Sequence, residues 1–197
     1  NVEQQAYHST GTCTFYGTAN TNQLIAEAMG FQLPGAAFTP TESPVREYLK
    51  KESLEALIKL MDAEIGLGEM LDIKNWMNAL IVLLASGGST NLVIHLIAMA
   101  RSAGYILTIE DFNDLSRIIP RLCQVYPNGT ADVNEFHSEG GIARLLSNLM
   151  EGDLIYKDIE TVAGFGLESY TKIPYIDKKN AKNLKWKDLD QNKNTKS

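Results

Sequence analysis

"IKNWMNALIVLLASGGSTNLVIHLIAMAR", residues 73–101, decides how this chain must fold. Residues 73–85 read as one helix, with Trp76, Met77, Leu80, Ile81, Leu83 and Leu84 spread around it. Residues 91–101 read as a second, with Leu92, Val93, Ile94, Leu96, Ile97 and Met99. A helix without a polar face belongs inside a larger structure. Both apolar runs are too short to span a bilayer, so the expected setting is a protein core and no membrane. His95, within the second helix, then reads as a hydrogen-bonded core histidine. The join between the helices, "ASGGSTN" at 85–91, gathers glycines, hydroxyls and an amide. A helix starting there offers free N–H groups and the positive end of its dipole, which suits an anion or a hydroxyl. The same residues also suit a tight helix–helix turn capped by Ser89.

Working outward, residues 20–29 put Leu24, Ile25, Ala28 and Met29 on one helical side, with Gly30 as the stop signal. Residues 33–41 form a loop rich in Pro and Thr. Ser43 and Pro44 suit an N-cap and first helical position. The helix they open should run towards Gly66, with Leu54, Leu57, Ile58 and Met61 as its inward stripe. Thr108 with Asp111 resembles a capping box. "RLCQVYPNG", residues 121–129, reads as a short strand entering a turn. Asp132 and Glu135 can cap a further helix, interrupted at Gly140 and Gly141 and ended by Gly152. "TVAGFGLESY", residues 161–170, is a glycine-punctuated loop or strand. Residues 178–197 are polar and lysine-rich, with a single Trp186. The helix content is high and strand candidates are few.

With 197 residues and 44% hydrophobic content, one domain with a sizeable core is within reach. A formal net charge of -6 leaves no basic surplus for phosphates, which excludes a general nucleic-acid binder. Two cysteines and no leader-like segment fit a reducing cytoplasm. The start at Asn1 and the two all-apolar helices suggest a piece of something longer.

One cysteine lies in "GTCTFYGTAN", residues 11–20, among glycines and threonines that suit a tight loop. Cys13 has two readings there: a buried small hydrophobe, or a ligand of a metal or iron–sulfur centre completed by cysteines from elsewhere. His8 lies close enough in sequence to share such a site. Cys123, among bulky neighbours, reads as packing. His137 carries no assignment.

"YHSTGTCTFYGTANTNQ", "LLASGGSTNLVIHLIAMARSAG", "YPNGTADVNEFHSEGG" and "TVAGFGLESYT" occur here in the order found in the iron–sulfur dehydratase family of dihydroxyacid and phosphogluconate dehydratases. The first and third motifs resemble its phosphogluconate branch. The resemblance implies an α/β, helix-rich fold: part of the family's N-terminal α/β/α domain, with the C-terminal barrel-like domain absent. Residues 1–176 would be the latter part of that domain, and 177–197 a polar connection or cut end. Cys13 would bind an iron–sulfur cluster, expected to be [4Fe-4S], whose open iron acts as Lewis acid on a substrate hydroxyl. Ser89, Thr90 and Asn91 would bind substrate. The implied reaction converts 6-phospho-D-gluconate to 2-dehydro-3-deoxy-6-phospho-D-gluconate in the Entner–Doudoroff route, with a divalent metal such as Mg and a cytoplasmic homodimer in the parent. The family's Cys-Asp-Lys motif and the serine thought to act as base are missing, so no catalytic residue is expected within this chain. Alone, it should be colourless, inactive and prone to oligomerise. Two rivals remain: a dehydratase for another dihydroxy or sugar acid, and a non-catalytic helical interaction module.

Overall fold

In the computed structural model, residue 13 and residues 15–177 and 183–189 are described, and most of them lie in helices. The order is α1 (Thr18–Ala28), α2 (Pro44–Asp62), the single turn α3 (Leu67–Met70), α4 (Ile73–Ser86), α5 (Asn91–Ser102), α6 (Ile109–Ser116), α7 (Val133–Ser138) and α8 (Gly141–Glu151). Two antiparallel two-stranded sheets follow, β1 (Glu160–Thr161) with β2 (Gly164–Phe165) and β3 (Ile173–Ile176) with β4 (Leu184–Lys187). A 3₁₀ turn, Glu168–Thr171, separates the two hairpins. The fold is helix-rich with small sheets, and no barrel occurs among the described residues.

Side chains fix most helix starts. Ser43 Oγ accepts from the Arg46 N–H at 3.2 Å and Pro44 takes the first helical position of α2. Asp72 Oδ1 accepts from the Lys74 N–H at 2.7 Å to open α4. The Thr108 N–H donates to Asp111 Oδ2 at 2.7 Å ahead of α6. Asp132 Oδ1 accepts from the N–H groups of Asn134 and Glu135, both at 2.8 Å, to open α7. Gly87 ends α4 at φ 63°, a left-handed conformation that glycine adopts without the Cβ penalty.

The core forms around α4, where Trp76, Ala79, Leu80, Val82 and Ala85 are all buried. Helices α1 and α6 pack directly on it. Leu145, Leu146 and Leu149 of α8 complete the same cluster. Truncating one of these leucines to Ala would cost roughly 2–5 kcal/mol. Polar side chains inside this core stand in for missing backbone partners. Asn78 donates to Tyr156 O at 2.9 Å and accepts from the Tyr156 N–H at 3.0 Å. Asn75 donates to Met29 O at 2.9 Å, tying α4 to the end of α1.

Three expectations are corrected. Helix α5 is not enclosed: Leu92, Leu96 and Ala100 are buried at helical spacing, whereas Ile94 is 69% exposed and His95 also faces solvent. Helix α1 covers one face of α5, and the opposite face stays open. The apolar stripe of α2 also points outward, with Leu54, Leu57, Ile58 and Met61 all more than half exposed. The face of α2 that packs carries Leu49, Val45, Tyr48 and Ala56, against a small cluster that includes Leu184 and Trp186. Finally, residues 121–129 form no strand. The N–H groups of Leu122 and Cys123 both donate to Ala85 O, and Val125 makes an isolated bridge to Ala131. The segment's backbone is spent on the end of α4 rather than on a neighbouring strand. Within residues 178–197, β4 pairs with β3, and Trp186 Nε1 donates to Pro34 O at 2.9 Å.

Candidate functional site

Helix α1 begins beside the turn that separates α4 from α5, and its first turn reaches in two directions. Towards the cysteine loop, Asn20, itself buried, donates through Nδ2 to Cys13 O at 2.8 Å and to Phe15 O at 2.6 Å. The main chain on the two sides of residue 14 is thereby fixed by one side chain. Cys13 itself is exposed, so its side chain is accessible.

Towards the "GGSTN" segment, Thr18 Oγ1 lies 3.0 Å from Ser89 Oγ and accepts from Asn91 Nδ2 at 3.2 Å. Thr21 Oγ1 accepts from the Ser89 N–H at 3.1 Å and donates to Gly17 O at 2.8 Å. This approach leaves no room at residue 88: a Cβ there would sit 2.5 Å from Thr21 Cγ2 and 2.7 Å from Leu83 Cδ1. A side chain at residue 88 would force Thr21 or Leu83 to shift. Thr90 is the residue before α5 and makes no side-chain cap, and Ser89 bonds across to α1 instead of capping its own helix.

A third motif closes the arrangement. Asn128, from the "YPNG" turn, donates through Nδ2 to Gly87 O at 2.6 Å. The Tyr126 ring lies 5.8 Å from that of Phe15, and both rings are more than half exposed. Below them, the buried Tyr16 hydroxyl donates to Ser86 Oγ at 2.7 Å, and burial holds its pKa well above the usual tyrosine range. The cysteine loop, the "GGSTN" turn and the "YPNG" turn thus meet at one end of α1, α4 and α5.

Of the residues singled out by sequence, the Cys13 carbonyl and the side chains of Ser89 and Asn91 are each tied to the first turn of α1, and Thr90 lies between the latter two. Cys123 is buried in the core, with its thiol pushed up to about 12 by burial. His8 lies outside the described residues. His95 and His137 are exposed. No group of three or more His, Cys, Asp or Glu side chains that could hold a metal ion occurs among the described residues. Among the described residues, the accessible thiol at this end of the molecule is that of Cys13. The connecting residues Thr18, Asn20, Thr21 and Asn128 were not singled out by sequence. For the first three the signal was available in "TANTN", residues 18–22, a polar cluster at the head of an otherwise amphipathic helix.

A buried acid lies at the other end of α1. Glu27 accepts from the N–H groups of Gly35 at 2.6 Å and Ala37 at 2.7 Å, and burial outweighs these bonds to raise its pKa to about 7. Arg46 donates to Ala36 O at 2.7 Å and to Thr39 O, so loop 33–41 is held from both sides.

Residues 1–170 match the family described as "Dihydroxy-acid/6-phosphogluconate dehydratase N-terminal". The chain is 44% identical over 178 residues to a phosphogluconate dehydratase of Pseudomonas aeruginosa, covering 89% of this chain and 29% of that protein. It is 43% identical over 189 residues to that of Escherichia coli K12, covering 94% and 31%. A dihydroxy-acid dehydratase of Sulfurisphaera tokodaii is 37% identical over 179 residues, covering 89% and 32%. The chain thus spans under a third of the length of these relatives. By the extent of the family match, this chain belongs to the dihydroxy-acid/6-phosphogluconate dehydratase N-terminal family.

Proposed function

We propose that this chain is the part of a phosphogluconate dehydratase that supplies one cluster ligand and one substrate-binding segment. The substrate is 6-phospho-D-gluconate and the product 2-dehydro-3-deoxy-6-phospho-D-gluconate. The observation that supports the reading is that the first turn of α1 is bonded both to the Cys13 loop and to Ser89 and Asn91, the residues on either side of Thr90. Three relatives between 43% and 46% identical bear that enzyme's name, and the dihydroxy-acid relative is more distant at 37%.

Cys13 fits one corner of an iron–sulfur cluster: its thiol is accessible and its main chain is fixed. When bound, a [4Fe-4S] cluster would supply Lewis acidity for loss of the substrate hydroxyl. Cys13 anchors the group and Asn20 holds the anchoring loop in place. Ser89, Thr90 and Asn91 present hydroxyls and an amide at the start of α5, where the helix dipole favours an anionic substrate group. Neither α1 nor α5 has an acidic residue in its first turn to occupy that field. The other cluster ligands, the base and a divalent metal such as Mg belong to the parent beyond these residues. Residues 1–176 would belong to its N-terminal domain, and the reading includes a cytoplasmic homodimer.

The test is the activity of the full-length enzyme, cluster loaded anaerobically, on 6-phosphogluconate, plain gluconate and a branched-chain dihydroxy acid. Preference for the phosphorylated acid supports the reading. Preference for either other acid would replace it.

A further inference from the structure

We propose that Asn20 is a positioning residue that turns the Tyr16 N–H towards the cluster, where it donates to an iron-bound sulfur. The inference deepens the reading of Cys13 as a cluster ligand and rests on it. Its first basis is a contact whose direction is fixed by chemistry. Cys13 O and Phe15 O are carbonyls and can only accept, so the Asn20 amide must face them with its N–H bonds, at 2.8 and 2.6 Å. Asn20 is buried, and both carbonyls are therefore turned inward. The Gly17 N–H holds Phe15 O as well, at 2.9 Å. A trans peptide carries its N–H on the side opposite its C=O, so the Tyr16 N–H points away from Asn20.

The second basis is independent of Asn20: the donor is unspent. Among the described residues, no acceptor takes the Tyr16 N–H, although Tyr16 is only 3% exposed and its hydroxyl is committed to Ser86. A backbone N–H without a partner in so buried a residue is rare and calls for an acceptor. The neighbouring chemistry indicates which. Cys13, three residues earlier on the same loop, is exposed. Sulfurs bound to iron carry negative charge and accept N–H bonds, which tune the potential of a cluster and orient its ligands. Thiol, free N–H and buried amide thus belong to one short loop, and Asn20 acts on the cluster through that loop rather than by touching it.

The experiment uses the full-length enzyme, loaded with its cluster anaerobically. Isotope labelling reads the donor itself: with ¹⁵N-tyrosine in the protein, pulsed electron paramagnetic resonance of the reduced cluster should show a weak ¹⁵N coupling. Tyr16→Phe, which keeps the peptide but removes the label at that position, should abolish the coupling. Asn20→Asp keeps the size of the side chain and removes its N–H donors. It should speed iron release to an excess of chelator by roughly ten- to a hundredfold, the range for losing an outer partner of a metal ligand. It should also weaken the ¹⁵N coupling and shift the reduction potential of the cluster, which a residue that only supports the fold would not do. Asn20→Ala carries the same arms should the aspartate variant not fold, and the label in the wild type needs neither. A coupling that survives Tyr16→Phe, no coupling at all, or wild-type iron release and potential in Asn20→Asp would each overturn the inference. A Cys13→Ser enzyme that keeps its cluster would instead overturn the reading of Cys13 as a ligand, with the Tyr16 label still deciding the donor.

Discussion

Cys13 and Cys123 are the same residue type in opposite settings. One is exposed on a loop whose carbonyls are fixed by Asn20; the other is buried and its thiol is pushed up to about 12. Thiolates bind clusters, so the expected outcome is asymmetric. In the full-length enzyme, Cys13→Ser should abolish the cluster absorbance and the turnover together, and Cys123→Ser should leave both nearly intact; anaerobic visible spectra and an assay for the keto acid check it. The contrast between the two cysteines was legible in the sequence, because small residues surround one and bulky residues the other. The role of Thr18 was not, since its partners are Ser89 and Asn91, far along the chain. Glu27 was equally hidden, as a charged residue in a helix ordinarily reads as surface. Its pKa rises from 4.5 unfolded to about 7 folded, so the folded state binds its proton more tightly. That contribution to stability is fully present below about 4.5 and is lost as pH rises through about 7. Glu27→Gln should therefore flatten the pH dependence of Tm across this window. It should also lower Tm throughout, because an amide offers one oxygen to the two backbone donors of loop 33–41. Thermal melts from pH 4.5 to pH 8 read both effects.

At the scale of elements, the helix ends were the most legible part of the fold. Ser43, Thr108 and Asp132 are local devices whose chemistry lies within a few residues of the end that they set. What each helix faces is a long-range property, and there the pattern misleads. Periodicity located the apolar stripe of α2, but it could not say that Leu49 on another face would do the packing. Residues 121–129 fail as a strand for the same reason: a strand needs a partner, and Ala85 O takes the donors of Leu122 and Cys123. The tight join of α4 and α5 depends on contacts of this long-range kind. Gly88→Ala would drive a Cβ into Thr21 and Leu83, both under 3.0 Å away, so either these buried side chains or the turn must shift, and Thr21 holds the Ser89 N–H. In the full-length enzyme, Gly88→Ala should lower kcat/KM by at least tenfold, since a displacement of about 1 Å at a positioning group can cost 100-fold. Asn128→Ala should act in the same direction and more weakly, as it removes one bond to Gly87 O. Steady-state kinetics alongside cluster absorbance separate this from loss of the cluster.

For the whole molecule, the question is what 197 residues can do when their relatives are more than three times as long. The core around α4 is closed on the sides formed by α1, α6 and α8, which supports cooperative folding of this part. The remaining surface is unusually apolar in two places. On α2, Leu54, Leu57, Ile58 and Met61 are between 52% and 67% exposed, and on α5 Ile94 and Met99 are open as well. Contiguous apolar patches of this kind drive association when nothing covers them. Chemistry is short of parts by the same measure, since one accessible thiol cannot hold a cluster that needs several thiolates. The chain expressed alone should therefore stay colourless after anaerobic iron–sulfide reconstitution and show no dehydratase turnover. It should also self-associate above micromolar concentration. Leu57→Glu with Ile58→Glu should shift it towards monomer without lowering its stability by more than about 1 kcal/mol, as expected for two exposed positions. Sedimentation velocity of the two proteins checks the association. A wild-type chain that remains monomeric would show that the exposed α2 stripe is too narrow to pair. A double variant that loses its melting transition would show that the stripe is buried within the isolated chain after all.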